Sequence, residues 1–496
     1  MPALSVAFHT LGCKLNQLET ESIAEAFRTA GFKTVPWGDR ADIHIVNTCT
    51  VTSKAEQKAR RVIRKALKDD PSACVVATGC YAQLDPASVA AIASALDGAA
   101  AGEKPGAAAD RRRLLVVSGD DKSALLDLPR FLADAVCSSA ELPSVLDEWS
   151  ALKSGRRSDP DRFRFDANDF AFHSRASLKI QDGCDNACSY CRVRLARGRS
   201  VSLDAAEALR RLRELEERGY GEAVLTGINV SQYRGREEAA GDPLDFPGLL
   251  RFLLAGTRRI SLRISSTEPD AVTPDFADAV SDPRVRPHFH LSVQSLCDAT
   301  LGRMRRRYAA SRVELAVARL RAAKDDPFLA CDVIAGFPGE TDAEFEETYG
   351  NLCRLGFAWI HAFPFSPRPG TEAVSLPGHV REGLIMERVE RLLALGRAAH
   401  AAYAGRWTGR EVLAIAEAAP PPKRGTSCVA LSENYLRLSI PLEPEANAPR
   451  PGSTLRCRIG ASLRSQPESD AEDGGEDAAS SAAADAAAEL LEVLRP

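Results

Sequence analysis

The chain has 496 residues and a mass of 53.4 kDa, more than one compact core accommodates, so about two to four domains are expected. Its 45 % apolar and 27 % charged residues are the ordinary balance of a soluble globular protein, and there is neither an apolar run of about eighteen residues nor a cationic lead into an apolar stretch after Met1, which excludes a membrane span and a secretory signal. The net charge of −4 is uneven: residues 465–496 hold nine acids against Arg495 alone, a net −8 that leaves residues 1–464 at +4.

Ser5–Thr10 reads as a strand ending at Cys13, and a helix from about Thr20, with Ile23 and Phe27 on one face, stops at Gly31. A strand over Asp42–Val46 ends at Cys49, a basic helix over Lys54–Lys68 halts before Pro71, and a strand over Cys74–Ala77 ends at Cys80. This alternation predicts an open parallel-sheet domain over 1–150, followed by a charged linker over 151–172. Strand-like runs near 177–181, 222–227, 259–265, 288–294, 329–335 and 358–364 come next. Helical runs separate them, one with Ala206, Leu209, Leu212 and Leu215 on a stripe, another opening with Thr341 and Glu344 in capping-box spacing. Six βα units predict a partial (β/α)6 barrel over 173–402 rather than a closed barrel, which needs about eight. Short β segments at Glu411–Ile415, Thr426–Leu431, Tyr435–Ile440 and Thr454–Ile459 predict a small β-barrel over 403–464. The fold class is α/β, with an acidic tail over 465–496 expected to be disordered.

Thirteen cysteines in a chain without an export signal argue for metal ligands, catalytic thiols or buried thiols rather than disulfides. Cys184, Cys188 and Cys191 lie in QDGCDNACSYC, directly after a strand. Three thiolates so close in sequence can wrap one soft metal centre, whereas structural zinc takes about four protein ligands and the loop supplies three. A cubane iron–sulfur cluster held by three cysteines leaves one iron open. The amino and carboxylate groups of S-adenosylmethionine can fill that vacancy, and an electron from the cluster then yields a 5′-deoxyadenosyl radical. A structural zinc loop or three buried thiols is the alternative. Cys13, Cys49 and Cys80 are far apart in sequence, yet each follows a predicted parallel strand. The carboxyl ends of such strands share one edge, where the three would converge on a second metal or cluster site; three buried thiols placed there by coincidence are the alternative. The remaining seven cysteines read as small buried apolar residues.

Together these residues resemble the methylthiotransferases, a branch of the radical S-adenosylmethionine enzymes, over roughly residues 4–460. HTLGCKLNQLETES (9–22), VNTCTVTSKAEQKARR (46–61), LKIQDGC (178–184) and ENYL (433–436) are most similar to the tRNA enzymes acting on threonylcarbamoyladenosine. The resemblance implies an N-terminal methylthiotransferase domain, a radical SAM partial barrel and a C-terminal β-barrel of the TRAM type that grips RNA. It implies two [4Fe-4S] clusters, with Cys184, Cys188 and Cys191 holding the radical-generating one and Cys13, Cys49 and Cys80 an auxiliary one that delivers sulfur. It places Tyr190, Thr226, Gly227, Asn229, Ser266, Glu268, Gln294, Asp332 and Gly336 in the S-adenosylmethionine pocket. The implied reaction sets a methylthio group on carbon 2 of N6-threonylcarbamoyladenosine at tRNA position 37, in the cytoplasm, away from membranes, with an electron donor such as flavodoxin or ferredoxin. Two positions depart from the family pattern: Arg194 stands where a proline is usual, and Leu296 where a glycine is.

For RNA the candidates are Lys58, Arg60, Arg61, Arg64 and Lys65 on the basic helix, Arg305, Arg306 and Arg307 in a second cluster, and Tyr435 in the β domain. A solvated helix face is the alternative reading of the basic run. Competing functions are methylthiolation of isopentenyladenosine tRNA or of a ribosomal-protein aspartate, and, in another class, a non-catalytic iron–sulfur or zinc RNA-binding protein.

Overall fold

A computed structural model of the chain describes residues 4–100, 113–135, 142–154, 161–167, 170, 175–237, 241–417, 427–442, 449–462 and 484–494. They separate into two compact units, one built from the described residues before Ala171 together with Arg192–Arg199, the other from the remaining described residues.

In the first unit β1 (Ser5–Thr10), β2 (Lys33–Thr34), β3 (Ile43–Thr48), β4 (Cys74–Gly79) and β5 (Leu114–Val116) form a parallel sheet in the order β2-β1-β3-β4-β5. Successive side chains point to opposite faces, and both faces are covered. Ile43, Ile45, Cys74 and Val76 join Ile23 and Phe27 of α1 (Lys14–Thr29), while Val46, Val75 and Ala77 pack on Ala59, Ile63, Ala66 and Leu67 of α2 (Ser53–Asp69). Helix α1 starts well before its apolar stripe because its first turns bury polar side chains, Asn16, Glu19 and Thr20 among them. Around the sheet lie α3 (Cys80–Leu84), α4 (Pro86–Ala100), α5 (Leu128–Ala135) and α6 (Leu142–Ser154), and α7 (Val193–Arg197) joins from beyond Cys191. Phe165, expected in a free linker, is buried in this core, so the described part of 151–172 up to Phe170 belongs to the first unit. Strand order reverses between β1 and β3, the point at which open α/β sheets bind ligands beyond their carboxyl ends.

The second unit starts with β6 (Ala176–Lys179) and a small ribbon of β7 (Gln181–Asp182) and β8 (Val201–Ser202). Then come α8 (Ala205–Glu217), β9 (Glu222–Thr226), the ribbon β10 (Gly235–Arg236) and β11 (Pro243–Leu244), α9 (Phe246–Gly256), β12 (Ser261–Ile264), α10 (Pro274–Val280) and β13 (His288–Gln294). The series ends with α11 (Asp298–Arg303), α12 (Ala310–Ala323), β14 (Phe328–Ala335), α13 (Asp342–Leu355), β15 (Trp359–Pro364) and α14 (Glu382–Arg406). β6, β9 and β12 make one parallel sheet, β13, β14 and β15 another, and a bridge from Thr267 to Leu291 continues the curve between them. This is the six-stranded partial barrel. The capping box at α13 is present, Thr341 accepting from the Glu344 N–H.

Five strands close a small barrel: β16 (Glu411–Ala416), β17 (Ser427–Ser432), β18 (Arg437–Pro441), β19 (Thr454–Ser462) and β20 (Ala486–Val493), in the order β16-β17-β18-β20-β19. Over Ala486–Val493, β20 corrects the expectation of a disordered tail. Its Ala486 and Ala488 are buried on alternate positions, and its pairing with β18 and β19 removes two open edges. Two of the acids that made the segment look unfoldable have partners: Asp485 accepts the Arg437 N–H at 2.8 Å, and Glu489 pairs with Arg458 at 3.3 Å. Residues 463–483 lie outside the described residues. The terminal barrel shares a core with the partial barrel, Phe328, Ala330 and Ala358 packing with Tyr403, Val412 and Leu436.

Candidate metal centres

Cys13, Cys49 and Cys80 follow β1, β3 and β4 at the same sheet edge. Two glycines allow their turns to approach closely. Gly12 has φ 104°, and a Cβ there would lie 2.8 Å from Cys49 Sγ; Gly79 has φ 99°, and a Cβ there would lie 2.4 Å from the Thr48 carbonyl oxygen. Burial raises the Cys13 and Cys49 thiols, Cys49 to about 12, and each is raised further by the charge of Cys80. The Arg197 guanidinium and the Asn16 backbone N–H oppose this at Cys13. Thiolates so desolvated and mutually repelling are stable only against bound cationic charge, and this donor set fits an iron–sulfur group. Among the described residues no three His, Cys, Asp or Glu side chains stand close enough to hold a single metal ion.

In the second unit Cys184, Cys188 and Cys191 lie on the loop after β7. Asp185 N–H donates to Gln232 Oε1 at 2.9 Å, Asn186 N–H to Cys184 Sγ at 3.4 Å, and Ser189 N–H to the Met304 carbonyl at 3.1 Å. Asn229 Nδ2 stands 3.8 Å from Cys184 Sγ, and Arg306 Nη1 donates to Cys188 Sγ at 3.3 Å. The Tyr190 ring meets Phe337 edge-on at 6.2 Å, and burial raises its hydroxyl.

Most of the predicted pocket residues gather at the carboxyl ends of the barrel strands. Thr226 ends β9 with its buried hydroxyl unpartnered among the described residues, Gly227 lies against Gln181, and Asn229 N–H donates to Gln181 Oε1 at 2.9 Å. Ser266 and Glu268 follow β12. The Glu268 carboxylate pairs with Arg306, and burial pushes it up to about 7. Gln294 ends β13 in the left-handed region at φ 65°, and the Gly336 N–H donates to Glu340 Oε2 at 2.7 Å. Asp332 differs: it is in mid-strand, 2.9 Å from His290 Nε2, a partner the sequence did not suggest. Leu296 is buried, and the left-handed residue of that turn is Gln294, so a side chain replaces the usual glycine without strain. Arg194 is exposed on α7.

The RNA candidates divide. Arg61, Arg64 and Lys65 are exposed on α2, whereas Lys58 and Arg60 are half-buried, Arg60 donating to Tyr81 Oη at 3.0 Å. Arg307 is exposed, and Arg305 pairs with Glu372 at 2.8 Å. Two assignments need correction. Arg306 is buried against Glu268 and Cys188, so its charge serves the cysteine loop. The Tyr435 ring stacks on His288 at 3.9 Å and lies beneath Arg263, so it fastens the terminal barrel to the partial barrel. Sequence reasoning also missed the buried polar group under the first trio, Asn16, Glu19, Asn47, Lys122 and Arg197. Its one trace was Asn16 and Glu19 in the helix start that follows Cys13.

Residues 5–100 match the family described as Uncharacterized protein family UPF0004, and residues 178–352 match the radical SAM superfamily. The barrel and its cysteine loop therefore define a radical SAM enzyme. The chain is 41 % identical to a threonylcarbamoyladenosine tRNA methylthiotransferase of Treponema pallidum, over 92 % of this chain and 98 % of that one. It is 34 % identical to an enzyme of the same name from Bacillus subtilis, over 88 % and 90 %. A tRNA-2-methylthio-N(6)-dimethylallyladenosine synthase of Novosphingobium aromaticivorans is 31 % identical, over 78 % and 80 %. The chain belongs to the radical S-adenosylmethionine methylthiotransferase family.

Proposed function

We propose that the chain is a tRNA methylthiotransferase that adds a methylthio group to carbon 2 of N6-threonylcarbamoyladenosine at position 37. The observation that carries this is the 41 % identity over 92 % of the chain to an enzyme named for that substrate. Cys184, Cys188 and Cys191 would hold one [4Fe-4S] cluster and Cys13, Cys49 and Cys80 a second. When bound, the first supplies the electron that cleaves S-adenosylmethionine to a carbon radical, which an aromatic C–H requires because it resists ionic substitution. Thr226, Asn229, Glu268, Gln294 and Gly336 would orient that cosubstrate at the barrel rim, and Arg306 would hold Glu268 beside the loop. The exposed cations of α2 would take the tRNA backbone, fixing its register without reading sequence. An electron donor such as flavodoxin or ferredoxin, and a cytoplasmic setting, complete the reading. Among the described residues no helix is long and apolar enough to cross a membrane.

Nucleoside mass spectrometry of tRNA from cells with and without the gene tests this. The methylthio group of threonylcarbamoyladenosine alone should disappear on deletion. Its retention, with loss from isopentenyladenosine or from a ribosomal-protein aspartate, would move the substrate.

A further inference from the structure

We propose that Arg197 is a positioning residue for the Cys13, Cys49 and Cys80 trio, an inference that rests on that trio holding a cluster as proposed above. The Arg197 side chain is 8 % exposed and meets Glu19, itself 3 % exposed, with N–H donors at 3.0 and 3.1 Å. Lys122 Nζ reaches the same carboxylate at 2.6 Å. Sealing two cations and one anion from water costs more than their attraction returns unless further hydrogen bonds give the arrangement a purpose.

Those bonds run to the cysteine turns. Arg197 Nη2 also donates to Asn16 Oδ1 at 2.8 Å, which turns the amide so that Asn16 Nδ2 donates to the Leu11 carbonyl at 2.7 Å and the Thr48 carbonyl at 3.2 Å. One carbonyl lies two residues before Cys13, the other one residue before Cys49. Lys122 donates to Asn47 Oδ1 at 3.0 Å, and Asn47 Nδ2 returns to the Asn16 carbonyl at 2.9 Å. Thr48 Oγ1 donates to the Thr78 carbonyl at 2.5 Å and accepts the Ala82 N–H at 3.2 Å, one contact on each side of Cys80. A single network thus braces all three turns, and its excess positive charge lies beside a group that is anionic when ligated by thiolates. Arg197 lies outside the stretch 5–100 that matches the N-terminal family. The planar guanidinium serves Glu19 and Asn16 at once, which a lysine ammonium cannot reproduce.

The test uses the full chain with Cys184, Cys188 and Cys191 changed to Ala, so that only the strand-end trio takes iron. After anaerobic loading with iron and sulfide, iron release to a chelator and the paramagnetic resonance of the reduced cluster are followed. Arg197→Lys should speed release roughly tenfold and displace the resonance, as loss of a supporting group does at metal sites, while far-UV circular dichroism stays unchanged. In the reciprocal background, with Cys13, Cys49 and Cys80 changed to Ala, the same substitution should alter neither readout. If Arg197→Lys does not fold, Asn16→Ala is expected to give the same pair of results. Equal release with an unmoved resonance, or equal acceleration in both backgrounds, overturns the proposal. Failure of the first background to take iron even with Arg197 intact refutes the second cluster itself, and this inference with it.

Discussion

Arg263 grips the Glu222 carboxylate through Nε at 2.6 Å and Nη2 at 2.9 Å, with both side chains fully sealed from solvent. Arg286 adds a third contact at 3.0 Å, and Arg263 continues to the carbonyls of Ser432 and Glu433 at 3.2 Å. The pair therefore joins strands β9 and β12 to the turn that leads into β18.

Burial works to raise the Glu222 carboxyl, yet Arg263 and Arg286 override it and hold it at about 2, below its ordinary 4.5. A depressed carboxylate contributes stability that is complete above pH 4.5 and lost as pH falls towards 2. Glu222→Gln leaves the sealed Arg263 without its carboxylate, while Arg286 keeps only Glu433 at 3.4 Å, and is expected to cost about 3–5 kcal/mol at neutral pH. Urea denaturation against pH should show a steep acid decline in the parent that is much reduced in the variant.

The two cysteine trios should separate by readout. Cys184→Ala, Cys188→Ala or Cys191→Ala should abolish 5′-deoxyadenosine release altogether. Cys13→Ala, Cys49→Ala or Cys80→Ala should leave S-adenosylmethionine cleavage measurable while methylthiolated nucleoside disappears. Liquid chromatography of both products from one reaction decides, and loss of cleavage in all six variants would contradict separate roles.

Arg61, Arg64 and Lys65 are exposed on α2, and the acid of its first turn, Glu56, is paired with Arg192 at 3.0 Å. Changing the three to Glu should weaken tRNA binding and reduce the slope of log affinity against log salt by about two to three. Arg60→Glu should instead lower stability, because Arg60 is bonded to Tyr81 Oη. A binding titration across salt concentrations checks the first, thermal melting the second.

Much of this was legible in the sequence because it is carried by periodicity and local spacing. Strand-like apolar runs alternating with helical ones marked the first sheet and the six barrel strands, and CDNACSYC marked its loop alone. What escaped was long-range and polar. Arg197 meets Glu19 across 178 positions and Arg306 meets Glu268 across 38, and neither pairing leaves a periodic trace. Tyr435 and Arg306 looked like RNA ligands because exposure cannot be read from residue type. β20 was missed because its Ala-x-Ala alternation is weakly apolar and sits in an acidic context, so that only closure of the barrel makes it a strand.

His44 is 5 % exposed on β3, with neither ring nitrogen hydrogen-bonded among the described residues and its ring against Trp37 at 5.2 Å. Burial lowers its pKa below 6.5, against a smaller opposing effect of the Asp70 charge. An unfolded chain takes up this proton near pH 6.5 while the folded one resists it, so the unfolded state binds more protons below that value. The neutral ring's contribution is thus complete above pH 6.5 and lost as pH falls below it. His44→Leu keeps the volume, removes two unpaired polar atoms, and is expected to gain about 1 kcal/mol or more at acid pH. Melting temperatures at about pH 7.5 and 5.5 should fall in the parent and fall less in the variant. Parallel declines would show that His44 carries none of the acid sensitivity.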